Sequence, residues 1–190
     1  MSLYDLIITK RTVRRFKQDP IPDEIVSRIM EAARQAPSGA NIQPLKYMVI
    51  KTADMCKKVF ENTGWAGYLK GEGTPKEGEQ PVLYVVILVD TQIRNDGAKH
   101  DCGAAAQNMM LAAWEEGIGS CWIGSLKRDN LVNVLGIDER YVIDTVIAFG
   151  YSDEQVVSED AKGDIKYYRD ENMVHHVPKR TLAELILKSF

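Results

Sequence analysis

Residues Asp101 to Ser125 read DCGAAAQNMMLAAWEEGIGSCWIGS. The first part has almost no polar face. Ala104, Ala105, Ala106, Met109, Met110, Leu111, Ala112, Ala113 and Trp114 point in every direction around a 3.6-residue turn. A helix lying on a surface keeps a polar back, so one that is apolar all round is buried on all sides. At ~1.5 Å per residue it spans roughly 24 Å, about the width of a small domain. Such a helix is the central pillar of a fold or half of an interface. Gly117 ends it. Gly119 and Gly124 then bracket Ser120-Cys121-Trp122-Ile123, where small residues let backbone approach something flat.

A pillar of that length suits one domain, and the chain has 190 residues, 45% of them hydrophobic. That is enough for one sizeable core, and residues 1–190 are read as a single domain. The net charge of -3 argues against a general binder of nucleic acid or anionic membrane. The charge is uneven, however: Lys10, Arg11, Arg14, Arg15 and Lys17 fall close together with no acid among them. Cys56, Cys102 and Cys121 lie far apart, which gives neither a disulfide framework nor zinc spacing. Cys102 and Cys121 read as small apolar fillers. His100, His175 and His176 form no metal-binding pair, and no carboxylate partner for His175-His176 can be picked out of the sequence. The longest apolar run, Val82 to Val89, is far too short to span a bilayer. The N-terminus does not read as a signal peptide, so the expected compartment is the reducing cytoplasm.

In chain order, Ser2 caps a short first helix carrying Leu3, Leu6 and Ile7. TKRTVRRFKQDPIP follows as extended structure. Pro20 and Pro22 delay the next helix to Asp23, a good N-cap, and Ile25, Ile29, Ala32, Ala33 and Ala36 then repeat at helical spacing. Pro37 stops that helix. The loop PSGANIQP leads into a strand, LKYMVIK, and a short helix follows around Met55 to Phe60. Gly64 to Pro81 is rich in Gly, Pro, Lys and Glu; a connection this long is often a lid. Pro81 to Asp90 is a central buried strand by its β-branched content. After the pillar come a strand over Ile118 to Ile123, a helix near Asn130 to Leu135 and a strand from Tyr141 to Phe149. Ser152 to Asn172 is polar and reads as a surface excursion. The tail, HHVPKRTLAELILKSF, ends in a helix with Leu182, Leu185 and Ile186 on one face, which must dock on its own core or on a partner. The plan is α+β in three layers, a small sheet with helices on its faces. GxGxxG and GxxxxGK[ST] are both absent.

Three segments can carry chemistry. Lys10, Arg11 and Thr12 supply the charges and hydroxyl that a phosphate needs, although taken alone they read rather as a solvated charge run. In an extended segment Thr12 and Arg14 share a face. Lys179-Arg180 is a second basic pair. Pro37 and Pro44 frame Ser38, Gly39, Asn41 and Gln43, which suit the edge of a heterocycle or an ordinary turn. Trp122 and Ile123 could press on a planar ring, with the Gly124 N–H facing a ring nitrogen; the bland alternative is a core strand. No nucleophilic triad or paired carboxylates can be argued.

Taken together, TKRTVRRF, APSGANIQP, DCGAAAQNMMLAAWEEGIGSCWIGS with GYSDE after it, and PKRTLAELI resemble the FMN-dependent nitroreductase family, over about Leu3 to Leu187. The middle, Lys51 to Pro81, matches no pattern. The resemblance implies a three-layer α+β fold with a small, mostly antiparallel sheet, in an intertwined homodimer with FMN at the subunit interface. The C-terminal segment, 175–190, would dock on the partner. It implies an FMN-dependent oxidoreductase that takes hydride from NADH or NADPH and passes electrons to a small-molecule acceptor, such as a nitroaromatic or quinone, in a ping-pong cycle. Lys10, Arg11 and Thr12 would hold the phosphate and ribityl chain, with Arg180, and less surely Lys179, completing the pocket. Arg14 would reach the pyrimidine edge, where a cation stabilises the charge left by hydride transfer. Pro37, Ser38 and Asn41 would come from the second subunit. Trp122, Ile123 and Gly124 would lie under the ring, the Gly124 N–H directed to N5. Lys10 and Thr12 depart from the family's commoner Arg and Ser, and Lys loses the bidentate fork. A flavin carrier or sensor without useful turnover, and specialised chemistry such as flavin fragmentation or reductive dehalogenation, are the rival readings.

Overall fold

A computed structural model describes residues 2–69, 71–94 and 96–190. Lys70, within the expected 64–81 lid, lies outside the described residues. Six α-helices and seven strands form in the order α1 (Leu3–Thr9), α2 (Asp23–Arg34), β1 (Leu45–Ile50), α3 (Ala53–Phe60), β2 (Leu83–Asp90), α4 (Lys99–Glu115), β3 (Ile118–Ile123), α5 (Arg128–Leu135), β4 (Tyr141–Tyr151), β5 (Val156–Asp160), β6 (Tyr168–Arg169), β7 (His175–Lys179) and α6 (Leu182–Leu185).

The main sheet has the order β1-β2-β4-β3, antiparallel throughout. The pleat of β2 explains its unbroken apolar run, since successive side chains go to opposite faces. Leu83, Val85 and Ile87 meet Ile29, Ala33 and Met109 of α2 and α4. Tyr84, Val86 and Leu88 meet Val59 of α3 and Leu131 of α5 on the other face. The result is three layers, helix–sheet–helix, with one core on each face.

Residues 10–16 form an added rib on the α3/α5 side. Thr12 bridges Ser120 in parallel, and the Val13 N–H donates to the Ser120 carbonyl at 2.9 Å. Gly119 and Gly150 make room for this rib. A Cβ at Gly119 would come within 2.8 Å of Val13, and one at Gly150 within 2.9 Å of Phe16. What approaches the backbone at Gly119 is therefore no planar ring but the branched side chain of Val13.

Four expectations change. Asp23 is the first residue of α2 rather than its cap; Pro22 takes the cap position, and the Asp23 carboxylate pairs with Lys51 at 2.5 Å. Residues 152–172 are more than a polar excursion: β5 and β6 flank β7 in a second, three-stranded sheet, with β5 and β7 parallel. His176 does have carboxylate partners, Glu159 at 2.9 Å and Asp170 at 3.3 Å. Finally, α4 is covered only in part. Cys102, Ala105, Ala106, Met109 and Ala113 are buried, whereas Ala104, Leu111, Ala112 and Trp114 are half-buried and Gln107 is exposed. The α6 tail is open: Leu182, Leu185, Ile186, Leu187 and Phe190 are all exposed.

Candidate functional site

The capping box between Ser2 and Asp5 fixes the start of α1, and α1 delivers Lys10 to its own C-terminal end. From there the rib presents Lys10, Arg11, Thr12 and Arg14 to a cavity of about 510 Å³. Lys179 and Val177 on β7, Gln107 on α4, Ile7 on α1, Tyr167 and His175 complete its wall. Sequence reasoning missed Gln107, Tyr167 and His175. Gln107 had a signal, as a polar break in an otherwise apolar helix.

The charges here lack a full set of partners. The Lys10 ammonium reaches the Met110 thioether at 3.2 Å. Burial, aided by Arg11 and Lys179, pulls its pKa down to about 8. Arg11 donates to the Lys10 carbonyl at 2.6 Å and to the Ser158 hydroxyl. Its buried Nε has no partner among the described residues. A buried donor without an acceptor is costly. A cavity walled by cations and a hydroxyl, with an orphaned guanidinium N–H beside it, fits a phosphate ester.

Arg14 also lines a second cavity of about 370 Å³, bounded by Trp122, Ile123, Gly124, Trp65 and Tyr167. Its backbone N–H donates to Glu154, whose carboxylate also pairs with Arg169 at 2.7 Å in a fully enclosed bridge. Its guanidinium lies 4.8 Å from the Tyr167 ring centre and 3.2 Å from His175 Nε2. Glu154 belongs to the GYSDE segment, so its position was visible and its grip on Arg14 was not.

Trp122 and Ile123 both border this cavity but point to opposite faces of β3. The pleat buries Ile123 in the α5-side core and sends Trp122, 41% exposed, toward Gly103 of α4. Gly124 follows the last residue of β3, is exposed, and has open space where a Cβ would stand. Lys179 lines the basic cavity, whereas Arg180 pairs with Glu184 at 3.5 Å. The stretch 64–81 is tied to the second sheet: the Glu72 carbonyl accepts from Arg169 at 2.8 Å, and the Tyr68 ring lies 4.9 Å from Tyr167.

Pro37, Ser38 and Asn41 stand elsewhere in the chain, outside the lining of both cavities. Asp101, at the start of α4, accepts from the Ser38 hydroxyl and from the Gly39 N–H at 3.2 Å. The loop so held carries Ala40, Asn41 and Gln43 in the left-handed region. Non-glycine residues held there store strain, and they cluster at functional sites. Among the described residues no group of three or more His, Cys, Asp or Glu could hold a metal, and no helix is long and apolar enough to cross a membrane.

Comparison with known proteins identifies the family and the fold. The sequence profile of the Nitroreductase family matches residues 7–151. A protein of Archaeoglobus fulgidus, provisionally named NADH dehydrogenase/NAD(P)H nitroreductase, is 32% identical over 157 residues, 79% of this chain and 85% of that protein. A provisionally named nitroreductase from Desulfovibrio desulfuricans, solved in complex with FMN, is 25% identical with a TM-score of 0.74, covering 100% of this chain and 97% of that one. The NADPH:FMN oxidoreductase of Vibrio harveyi, solved with NAD+, shares the fold at a TM-score of 0.65 and 23% identity, over 80% of this chain and 69% of that one.

Proposed function

The chain belongs to the nitroreductase family and is an oxidoreductase, and from that premise we propose that it works as an FMN-dependent NAD(P)H oxidoreductase acting on nitroaromatics, quinones or similar small acceptors. The observation that carries this reading is that the two cavities share a wall. A pocket with phosphate chemistry has Arg14 and Tyr167 in common with the trough at Trp122–Gly124. FMN has that division, with a phosphate at one end and a flat ring at the other. When bound, it supplies the two-electron redox chemistry.

The chain's own residues bind, orient and tune. Lys10, Arg11 and Thr12 hold the phosphate end, with Lys179 as the second basic element; Arg180 engages Glu184 instead. Arg14 offers its charge to the pyrimidine edge, and the exposed backbone of Gly124 offers an N–H to the ring. Pro37, Ser38 and Asn41 would serve the site of a second copy, in keeping with their distance from this protomer's own basic cavity. The half-covered α4, the apolar side chains of α1 and the open tail support a homodimer.

The test is direct. Purified protein should be yellow and should bleach with NADH or NADPH. Colourless protein that cannot be reconstituted with FMN would overturn the reading. Yellow protein that nicotinamides reduce only very slowly would make it a flavin carrier. Turnover with each nicotinamide against a panel of acceptors identifies the substrates.

A further inference from the structure

Arg14 is the cation common to both cavities, and the way it is held has a chemical consequence. Its Nη1 lies 3.2 Å from His175 Nε2. A guanidinium carries only donors, so Nε2 must accept, and the imidazole must be the neutral Nδ1–H tautomer. The ring has no freedom to do otherwise. His175 is fully buried, and its Nδ1 has no partner among the described residues. Its backbone is pinned on β7, paired with Val156 on one side and Arg169 on the other, with its N–H on the Gln155 carbonyl at 2.9 Å. The Tyr167 ring lies 5.4 Å away and also faces Arg14, closing the third side. The ionisable groups that face it are Arg14, Glu154, Arg169 and His176. Burial first, and the Arg14 charge second, pull the His175 pKa down to about 4. At neutral pH the imidazole therefore has its acceptor lone pair and no charge.

The usual partner for a buried arginine is a carboxylate, which orients the guanidinium but cancels its field. A neutral acceptor orients it and leaves the charge whole. We propose that His175 is a positioning residue, whose Nε2 aims Arg14 at the pyrimidine edge of the flavin without neutralising it. The proposal rests on the FMN reading above. It adds a residue that acts on the potential of the ring through Arg14, by way of its Nε2.

The experiment measures the midpoint potential of bound FMN, together with the FMN dissociation constant, in wild type and three variants. His175→Gln keeps a neutral acceptor and should stay near wild type. His175→Phe removes the acceptor and should shift the potential of the FMN that remains bound to more negative values. His175→Glu orients Arg14 but cancels its charge and should shift the potential negative as well. A merely structural role would track folding stability and would not set glutamine apart from glutamate. Equal potentials in all folded, FMN-bound variants would overturn the proposal. A second arm needs no variant: the ring nitrogens of wild-type His175, followed by 15N NMR, should show Nδ1 protonated and Nε2 bare. A proton on Nε2 would overturn the proposal. If wild type takes up no FMN, the FMN reading falls and the tautomer arm still decides whether His175 accepts from Arg14.

Discussion

Gly119 has a role that its neighbours alone do not reveal. It precedes the stretch of β3 proposed to face the flavin ring, but what it accommodates is Val13, 2.8 Å from the place of its missing Cβ. Gly119→Ala pushes the rib off the sheet, and overpacking of this kind costs about 1–3 kcal/mol. A urea titration should show a lower midpoint at an unchanged slope. An unchanged midpoint would mean that the rib is free to move. Lys10, three residues before Val13, gives a second test. Its folded pKa is about 8, below the unfolded 10.5. The penalty for charging it is fully present below pH 8 and is released as pH rises toward 10.5, so this group makes the apoprotein more stable across that window. A bound phosphate favours the charged lysine and reverses the linkage. FMN affinity should then fall as pH climbs above about 8, and Lys10→Met should flatten the profile; a wild-type profile that is flat from the start would remove Lys10 from the phosphate site. At this scale charge and hydroxyl chemistry were legible in Lys10, Arg11 and Thr12. His175 was not, because it meets Arg14 only after closure of a loop 161 residues long, and nothing local marks a buried imidazole as an acceptor.

Elements were legible where periodicity was strong. β2, β3, α2 and α4 fall close to their expected places because each buries a long apolar pattern. β5, β6 and β7 escaped for the opposite reason. They are short, mostly polar and half-exposed, and side-chain pairs between them hold the sheet together. The enclosed Glu154–Arg169 bridge ties β6 to the segment before β5. His176 makes such pairs, stacked on Tyr168 at 4.7 Å and set between Glu159 and Asp170. The bond to Glu159 raises the His176 pKa above its ordinary 6.5. A histidine raised on folding contributes stability that is fully present below pH 6.5 and is lost as pH rises through its folded value. Protection of the β7 amides against hydrogen exchange, corrected for the intrinsic rate, should therefore decline as pH passes above the ordinary histidine range. His176→Gln should abolish that decline. A wild-type β7 with constant protection would show that backbone pairing alone holds the sheet.

At the scale of the molecule, the all-apolar pillar foretold more covering than one chain provides. The sequence pattern reports the total burial that a helix needs, whoever supplies it, and so could not divide the cover between the chain and a second copy. The exposed surface suggests the division. Leu3, Tyr4, Ile7 and Ile8 of α1 stand open, as do Leu182, Leu185, Ile186, Leu187 and Phe190 of the tail. Burying one such side chain is worth about 1.5–3 kcal/mol. The five tail residues, counted in both copies, then represent roughly 15–30 kcal/mol of gross burial, against an association cost of about 4–15 kcal/mol. If the tail docks on the partner, it is a main source of the dimer's affinity. Because the Pro37–Asn41 loop would reach the site only in a dimer, assembly and flavin retention must be lost together. The full chain should sediment as a dimer with FMN, and a chain ending at Thr181 should dissociate at a higher concentration and release FMN in parallel. A shortened chain that stays dimeric and yellow would place the tail outside the interface. A full-length monomer that keeps its FMN would show that each site is complete within one chain, leaving the strained loop at Ala40–Gln43 without a part in it.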